Sequence, residues 1–306
     1  MRGHEDTRPV VLCIGGTDPT GRAGLAADIR AGEAVGVHVA PVVATLTVQN
    51  ARGLQDLHPA GALFLRRQIA AVLDDLPVRA VKTGMLADAA TLEAVAAALR
   101  GADHPLPLIV DPVLRASPGG RPVCAAPATW RDALRRLCRQ ATLLTPNLPE
   151  AAALLGEPAA SDRRRMRAQA RELRARYGCA VLLKGGHLPG EGPVVDVFVD
   201  GGDEQVFLAP RRRGPSPRAT GCTLATLIAA GIARGETLRV AVRRARRMLH
   251  AALTNTPSLG GLGADPVRLA SRDAVIPHAD DSGEGSPAEA APDPSSRPTS
   301  LRGEPR

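Results

Sequence analysis

Pro9-Val10-Val11-Leu12-Cys13-Ile14-Gly15-Gly16-Thr17-Asp18-Pro19-Thr20-Gly21-Arg22-Ala23-Gly24 decides the fold. Its first six residues are a continuous apolar run, the pattern of a strand buried on both faces. The loop that follows is rich in glycine and polar residues, and an apolar helical pattern runs from about residue 25 to 35. A strand, a Gly-rich loop and a helix open a doubly wound α/β sheet, in which ligands bind at the carboxyl ends of the strands. The loop is not a P-loop, because no Gly-Lys-Ser/Thr follows it.

The same alternation continues along the chain. Apolar runs at residues 39–46, 78–83, 106–110, 141–144 and 179–183 read as strands. Helical patterns lie between them at about 60–73, 88–100, 127–138 and 163–176. Residues 194–199 and 205–208 read as an antiparallel hairpin around Asp200-Gly201-Gly202-Asp203. A buried helix over residues 224–232 and a basic helix over 237–253 complete the pattern. From about Ser271 the composition turns to Pro, Ser, Asp, Glu and Gly, too poor in apolar residues to pack a core. The expected organisation is an N-terminal extension over 1–8, one α/β domain over 9–270 and a disordered tail over 271–306.

Composition narrows the function. Hydrophobic residues make up 44% of the 306, enough for a large core, but aromatics only 2%, so Ala, Val and Leu must build it. No apolar run reaches the roughly 18 residues of a membrane span, and the first residues lack the apolar stretch of a signal peptide. Five scattered cysteines (13, 124, 138, 179 and 222) form neither a metal-type pair nor an even disulfide set, which points to a reducing cytoplasm. The net charge is +8, yet the arginines are scattered and stacking aromatics are nearly absent, which argues against nucleic acid. Of 39 basic residues only Lys82 and Lys184 are lysine, and both end apolar strands. A lysine retained against such a bias fits a site needing a compact ammonium, which the planar arginine fork cannot replace.

Arg218-Ala219-Thr220-Gly221-Cys222-Thr223 is the second informative stretch, a loop opening a helix. The first N–H groups of a helix have no intrahelical partner and suit an anion, above all a phosphate. Gly221 permits close backbone approach. At this position the helix field should lower the Cys222 pKa. A phosphate cradle beside a proton acceptor points to phosphoryl transfer to an alcohol; a plain helix start with a packed thiol is the alternative. Other residues carry similar pairs of readings. Gln49 offers an acceptor and two donors, enough for two adjacent edge groups of an aminopyrimidine-like ring, or it is a solvated loop amide. Asp111, just past a strand, suits a metal or water, or a cap. Asn147 and Glu150 share one face at a helix start, as an N-cap with an acidic first turn or as a hydrated Mg²⁺ site. Lys184-Gly185-Gly186 suits an anionic phosphate.

Seven stretches together resemble the hydroxymethylpyrimidine/phosphomethylpyrimidine kinases of thiamine synthesis, members of the ribokinase-like superfamily. They are Gly16-Thr17-Asp18-Pro19-Thr20-Gly21, Gln49-Asn50, Lys82-Thr83-Gly84-Met85-Leu86, Asp111-Pro112-Val113, Thr145-Pro146-Asn147-Leu148-Pro149-Glu150-Ala151, Lys184-Gly185-Gly186-His187 and Thr220-Gly221-Cys222-Thr223. The resemblance covers about residues 9–270 and implies an α/β ribokinase-like fold: a three-layer α/β/α sandwich with a mostly parallel central sheet and no separate lid domain. It implies ATP-dependent phosphorylation of 4-amino-5-hydroxymethyl-2-methylpyrimidine and then of its monophosphate, with Mg²⁺ and a homodimeric assembly. Gln49 would read the amino edge of the pyrimidine, and Gly16, Ala23, Asp28, Met85 and Val113 would line its pocket. Asn147, Lys184, Arg218 and Thr220 would meet the nucleotide phosphates, and Glu150, Asn147 and Asp111 the metal. Cys222 would be the catalytic base, with Thr220, Gly221 and Lys184 completing the catalytic set. A pyridoxal kinase on the same scaffold, or a non-catalytic pyrimidine- or nucleotide-binding relative, is the alternative.

The chain departs from the family pattern at four places. Arg218-Ala219 stand where the family usually has His-Gly, Ser117-Pro118 replace a Lys-Ser or Lys-Thr pair, Arg22 replaces a common loop glycine, and Ala26 a common polar residue. If the family glycine uses a positive φ, Ala219 must be strained.

Overall fold

Val10, Leu12 and Ile14 pack into one apolar cluster, and Val11 and Cys13 into another. Successive strand side chains point to opposite faces, so β1 (Val10–Gly16) is buried on both sides. The computed structural model describes residues 8–115, 123, 127–212, 217–254 and 266–269. The remaining strands are β2 (His38–Asn50), β3 (Gly53–Pro59), β4 (Val78–Thr83), β5 (Leu108–Val110), β6 (Leu143–Leu144), β7 (Ala180–Lys184), β8 (Val194–Asp200) and β9 (Asp203–Ala209). The helices are α1 (Gly24–Ala34), α2 (Ala62–Asp75), α3 (Ala89–Arg100), α4 (Ala128–Cys138), α5 (Leu148–Leu155), α6 (Arg163–Tyr177), α7 (Thr220–Ala233) and α8 (Leu238–Thr254).

Among the described residues the strands form one sheet in the order β3-β2-β1-β4-β5-β6-β7-β8-β9. The run from β2 to β7 is parallel. At the edges β3 pairs antiparallel with β2, and β8 and β9 continue antiparallel from β7. Helices α2 to α6 supply the core on one face and α1, α7 and α8 the core on the other. This is a three-layer α/β/α sandwich with a mostly parallel central sheet. The antiparallel strands extend its edges.

The topology sets the site. From β1 the chain crosses to β2 on one side, and β4 then enters on the other. Loops leaving the carboxyl ends of β1 and β4 therefore diverge, and a crevice opens between them.

Two elements differ from the sequence reading. Strand β2 continues through Thr47-Val48-Gln49-Asn50, which reads as a loop in sequence. There Thr45, Thr47 and Gln49 are buried, while Leu46 and Val48 are 51% and 55% exposed on the opposite face. An apolar residue pointing outward reverses the pattern a buried strand usually shows. Strand β3 gives no sequence signal, since only Gly53 and Leu54 of its seven residues are buried, with no alternation along the strand. Backbone pairing with β2 holds it. Ser117-Pro118 and the 271–306 tail lie outside the described residues.

Candidate active site

The β1–α1 loop is tied down before it meets any ligand. Thr17 N–H donates to the Thr45 carbonyl at 2.9 Å, and Thr47 Oγ1 donates to the Thr17 carbonyl at 2.7 Å. At the start of α1, Gly24 has φ +58°, and a Cβ there would lie 2.2 Å from the Gly16 carbonyl oxygen. No other residue fits. Ala23, the N-cap, offers no side-chain cap, so the first donors of α1 are left for solvent or ligand.

The crevice between β1 and β4 is a cleft whose empty space, open solvent included, is about 400 Å³. Gly16, Ala23, Asp28, Gln49, Met85, Val113 and Cys222 all line it, together with Gly15, Thr17, Gly24, Lys82 and Gly84. A register shift in β2 falls between Val48 and Gln49, and such a bulge re-aims the next side chain. Gln49 is 6% exposed, and its Oε1 has no hydrogen-bond partner. A buried acceptor without a donor is costly, so the cleft is shaped for a ligand that brings an N–H or O–H.

Helix α7 points its N-terminus at the cleft. Ala219 caps it without a side-chain hydrogen bond, so the first-turn donors stay available for an anion. Cys222, in this turn, is partly exposed. One turn deeper, Thr226 Oγ1 donates to Asp28 Oδ1 at 2.7 Å. Both oxygens of Asp28 accept from Lys82 Nζ at 2.9 Å. Burial is the largest influence on Lys82 and opposes its charge, but the surrounding groups, Asp28 foremost and then Cys222, Cys13 and Asp111, together outweigh it and hold its pKa up. On the other side of the helix start, Lys184 Nζ donates to Asp111 Oδ1 at 2.9 Å. A Cβ on Gly221 would stand 3.2 Å from Lys184 Nζ and 3.6 Å from Asp111 Oδ2. Glycine at this position lets the helix end approach both charges.

The thiolate expected at Cys222 is corrected here. Its pKa is pushed up, to about 11. Burial is the main cause, and Asp28 and Asp111 add to it against the opposing pull of Lys82 and Lys184. The helix field and both lysines together do not outweigh desolvation and the two carboxylates.

Asn147 and Glu150 form a reciprocal capping box at the start of α5. Glu150 N–H donates to Asn147 Oδ1 at 2.9 Å, and Asn147 N–H donates to Glu150 Oε2 at 2.8 Å. The Leu114 N–H also reaches Glu150. Burial pushes the Glu150 pKa up to about 7, with Lys184 opposing and Asp111 reinforcing the rise. Asn147 bridges Lys184 across the strand ends, which brings the capping box to the Lys184–Asp111 pair. Among the described residues no group of three or more His, Cys, Asp or Glu could hold a metal. The oxygens of Asp111 and Glu150 fit a Mg²⁺ ion that keeps waters and phosphate ligands and takes few protein contacts.

Ala219 has φ 63° and is the one non-glycine residue with positive φ among those described. The strain expected of alanine at this position is present. Arg218 reaches across to β2: its Nη1 donates to the Asn50 carbonyl at 3.2 Å, and its Nη2 is buried without a partner. It does not line the cleft itself. Lys82 and Thr17 line the cleft without a specific role read from the sequence. For Lys82 the signal was present, in its survival as lysine at the end of a strand. Thr17 carries none beyond its place in the loop.

The phosphomethylpyrimidine kinase family profile matches residues 18–268. A hydroxymethylpyrimidine/phosphomethylpyrimidine kinase from Streptomyces coelicolor is 40% identical over 263 residues, covering 85% of this chain and 94% of its own. The crystal structure of a phosphomethylpyrimidine kinase from Clostridium difficile superposes with a TM-score of 0.67 at 29% identity, over 81% of this chain and 98% of that one. An ADP complex of Bacillus subtilis pyridoxal kinase superposes with a TM-score of 0.76 at 26% identity, over 86% and 98%. With its fold, its cleft and its relatives in agreement, the chain belongs to the phosphomethylpyrimidine kinase family.

Proposed function

We propose that this protein phosphorylates 4-amino-5-hydroxymethyl-2-methylpyrimidine, and then its monophosphate, at the expense of ATP in thiamine biosynthesis. The observation that carries the reading is Gln49. Its buried, unpartnered Oε1 sits in a cleft lined by all the residues expected to hold the pyrimidine, and the ring's exocyclic amine supplies the missing donor. Pyridoxal, the alternative substrate, has no such amine.

Phosphoryl transfer is mainly a matter of positioning and charge neutralisation. The cleft orients the ring so that its hydroxymethyl oxygen faces Cys222. The N–H groups opening α7 hold the phosphoryl oxygens, and Lys184 adds positive charge beside them. The alcohol oxygen bonds to the γ-phosphorus, the bond to ADP breaks, and the alcohol proton passes to Cys222 as thiolate. Asp111 and Glu150 would hold a Mg²⁺ ion, directly or through water, and the ion would neutralise phosphate charge. Because the resting thiol is protonated, the competent thiolate is a minor species at neutral pH, and turnover should rise with pH. A cytoplasmic location supplies the ATP. A homodimer would cover exposed apolar residues such as Leu46 and Val48.

The test is ATP turnover with the pyrimidine alcohol, its monophosphate and pyridoxal, measured side by side. The alcohol should be the preferred acceptor over pyridoxal by ten-fold or more. Preference for pyridoxal, or no turnover with either pyrimidine, would overturn the reading.

A further inference from the structure

Arg218 stands out at this site because, among the described residues, no carboxylate neutralises it. Lys82 faces Asp28 and Lys184 faces Asp111, each at 2.9 Å. Arg218 makes no ion pair with any described residue; its side chain donates to the neutral Asn50 carbonyl. Its second nitrogen, Nη2, is shut off from solvent without a partner. A guanidinium N–H left in that state costs free energy unless an acceptor arrives.

The position says which acceptor. The guanidinium lies against Asn50, the neighbour of the ring-reading Gln49. Its backbone lies four residues before Cys222 and is pinned in turn, since Val267 N–H donates to the Arg218 carbonyl at 3.3 Å. Arg218 therefore runs from the segment that opens α7 to the end of β2 beside Gln49, at the margin of the cleft rather than in its lining. The two phosphorylation steps differ there. The first acceptor is a neutral alcohol. The second carries a phosphate ester of about −1.5 to −2 charge at neutral pH, like other phosphomonoesters. It must lie beside the γ-phosphate of ATP, so the second step packs two anionic phosphoryl groups where the first packs one. Each lysine already faces a carboxylate, so a further cation beside the ester favours the second step beyond what Lys184 and a metal ion supply. A planar arginine fork suits a phosphomonoester because it donates two parallel hydrogen bonds to it.

We infer that Arg218 holds the phosphate ester of the pyrimidine monophosphate and is the residue that sets the efficiency of the second phosphorylation relative to the first. The inference rests on the pyrimidine kinase reading above. Arg218→Gln keeps a donor for Asn50 and removes the charge; Arg218→Lys keeps the charge and removes the fork. Steady-state kinetics of the parent and both variants are measured with the alcohol and with the monophosphate at saturating ATP. Binding of the monophosphate without ATP is measured by calorimetry. In Arg218→Gln, kcat/KM for the monophosphate should fall at least ten-fold further than for the alcohol, mostly through KM, with a matching loss of affinity. Arg218→Lys should fall between. Equal losses with both acceptors, or none, would overturn the assignment, as would a parent that phosphorylates the alcohol but not the monophosphate. A parent inactive on both pyrimidines would instead defeat the underlying reading, which separates the two failures.

Discussion

Lys82 and Lys184 each end a parallel strand and each face a carboxylate at 2.9 Å, yet the two pairs are closed to different degrees. In the Lys82–Asp28 pair the side chains are 1% and 1% exposed. Lys82 reaches both Asp28 oxygens, and Thr226 adds a third hydrogen bond. In the Lys184–Asp111 pair the side chains are 15% and 3% exposed. Lys184 engages one oxygen, which it shares with Thr145. The first pair is a fixed dipole built into the core beneath the cleft. The second is open on the lysine side, where an arriving phosphate can take over part of the ammonium. Cys222 sits between them and feels all four charges. Similar chemistry thus serves two tasks, and solvent access separates them.

Breaking the closed pair should have the largest effect. Lys82→Met leaves the Asp28 carboxylate buried against Thr226 alone. Removing one partner of a buried pair typically costs about 3–5 kcal/mol, to be read from urea unfolding. The double variant Lys82→Met/Asp28→Leu should recover most of that loss, because no lone charge remains. If Lys82→Met unfolds at the parent urea concentration, the pair is not the fixed element described here.

Lys184→Met should invert the pattern. Stability should fall less than in Lys82→Met, because the pair is partly solvated. Turnover should fall by about 10²–10³-fold, the usual cost of removing one group that stabilises transition-state charge. A variant with near-parent turnover and a large stability loss would make the open pair structural as well.

Cys222 reports on both pairs. Its alkylation by iodoacetamide, followed by mass spectrometry of the peptide that contains it, should be slow at pH 7. Thiolate is the reactive form, so the rate should rise about ten-fold per pH unit and level off only near the pKa of about 11. In Lys184→Met the profile should shift to higher pH, since Lys184 lowers the Cys222 pKa. A plateau already at pH 7 would mean that the lysines prevail over burial.

How much of this was legible in the sequence depends on the interaction involved. The strand–loop–helix alternation fixed the sheet because β1 and β4 are buried on both faces and hydrophobicity records burial directly. Strand β3 escaped because its register comes from backbone pairing, which side chains of mixed polarity do not record. The cleft was legible through motifs, residue by residue. The Cys222 pKa was not, because position in a helix gives the sign of the helix field but not the desolvation around the thiol. The capping box of Asn147 and Glu150 was legible as spacing, whereas its approach to Lys184 came only with the fold.

Ala219 gives the smallest and most local test. Its φ of 63° and ψ of 21° place it in the left-handed region, which costs an L-residue with a Cβ about 1–2 kcal/mol. The conformation persists because both sides hold it. Before it, Arg218 is fixed by its contacts with Asn50 and Val267. After it, Thr223 N–H donates to the Ala219 carbonyl at 2.9 Å and starts the helix. Ala219→Gly removes the strain, but glycine also raises the entropy of the unfolded chain by roughly 0.4–1 kcal/mol. The net should be a gain of about 0.5–1 kcal/mol, or roughly 1–4 °C in Tm for a domain of this size. The backbone that forms the start of α7 would be kept, so the relative stabilities of the closed and open ion pairs should not change. A drop in Tm would show that the alanine methyl contributes packing that exceeds its strain, and that the loop before Cys222 is held by more than its backbone.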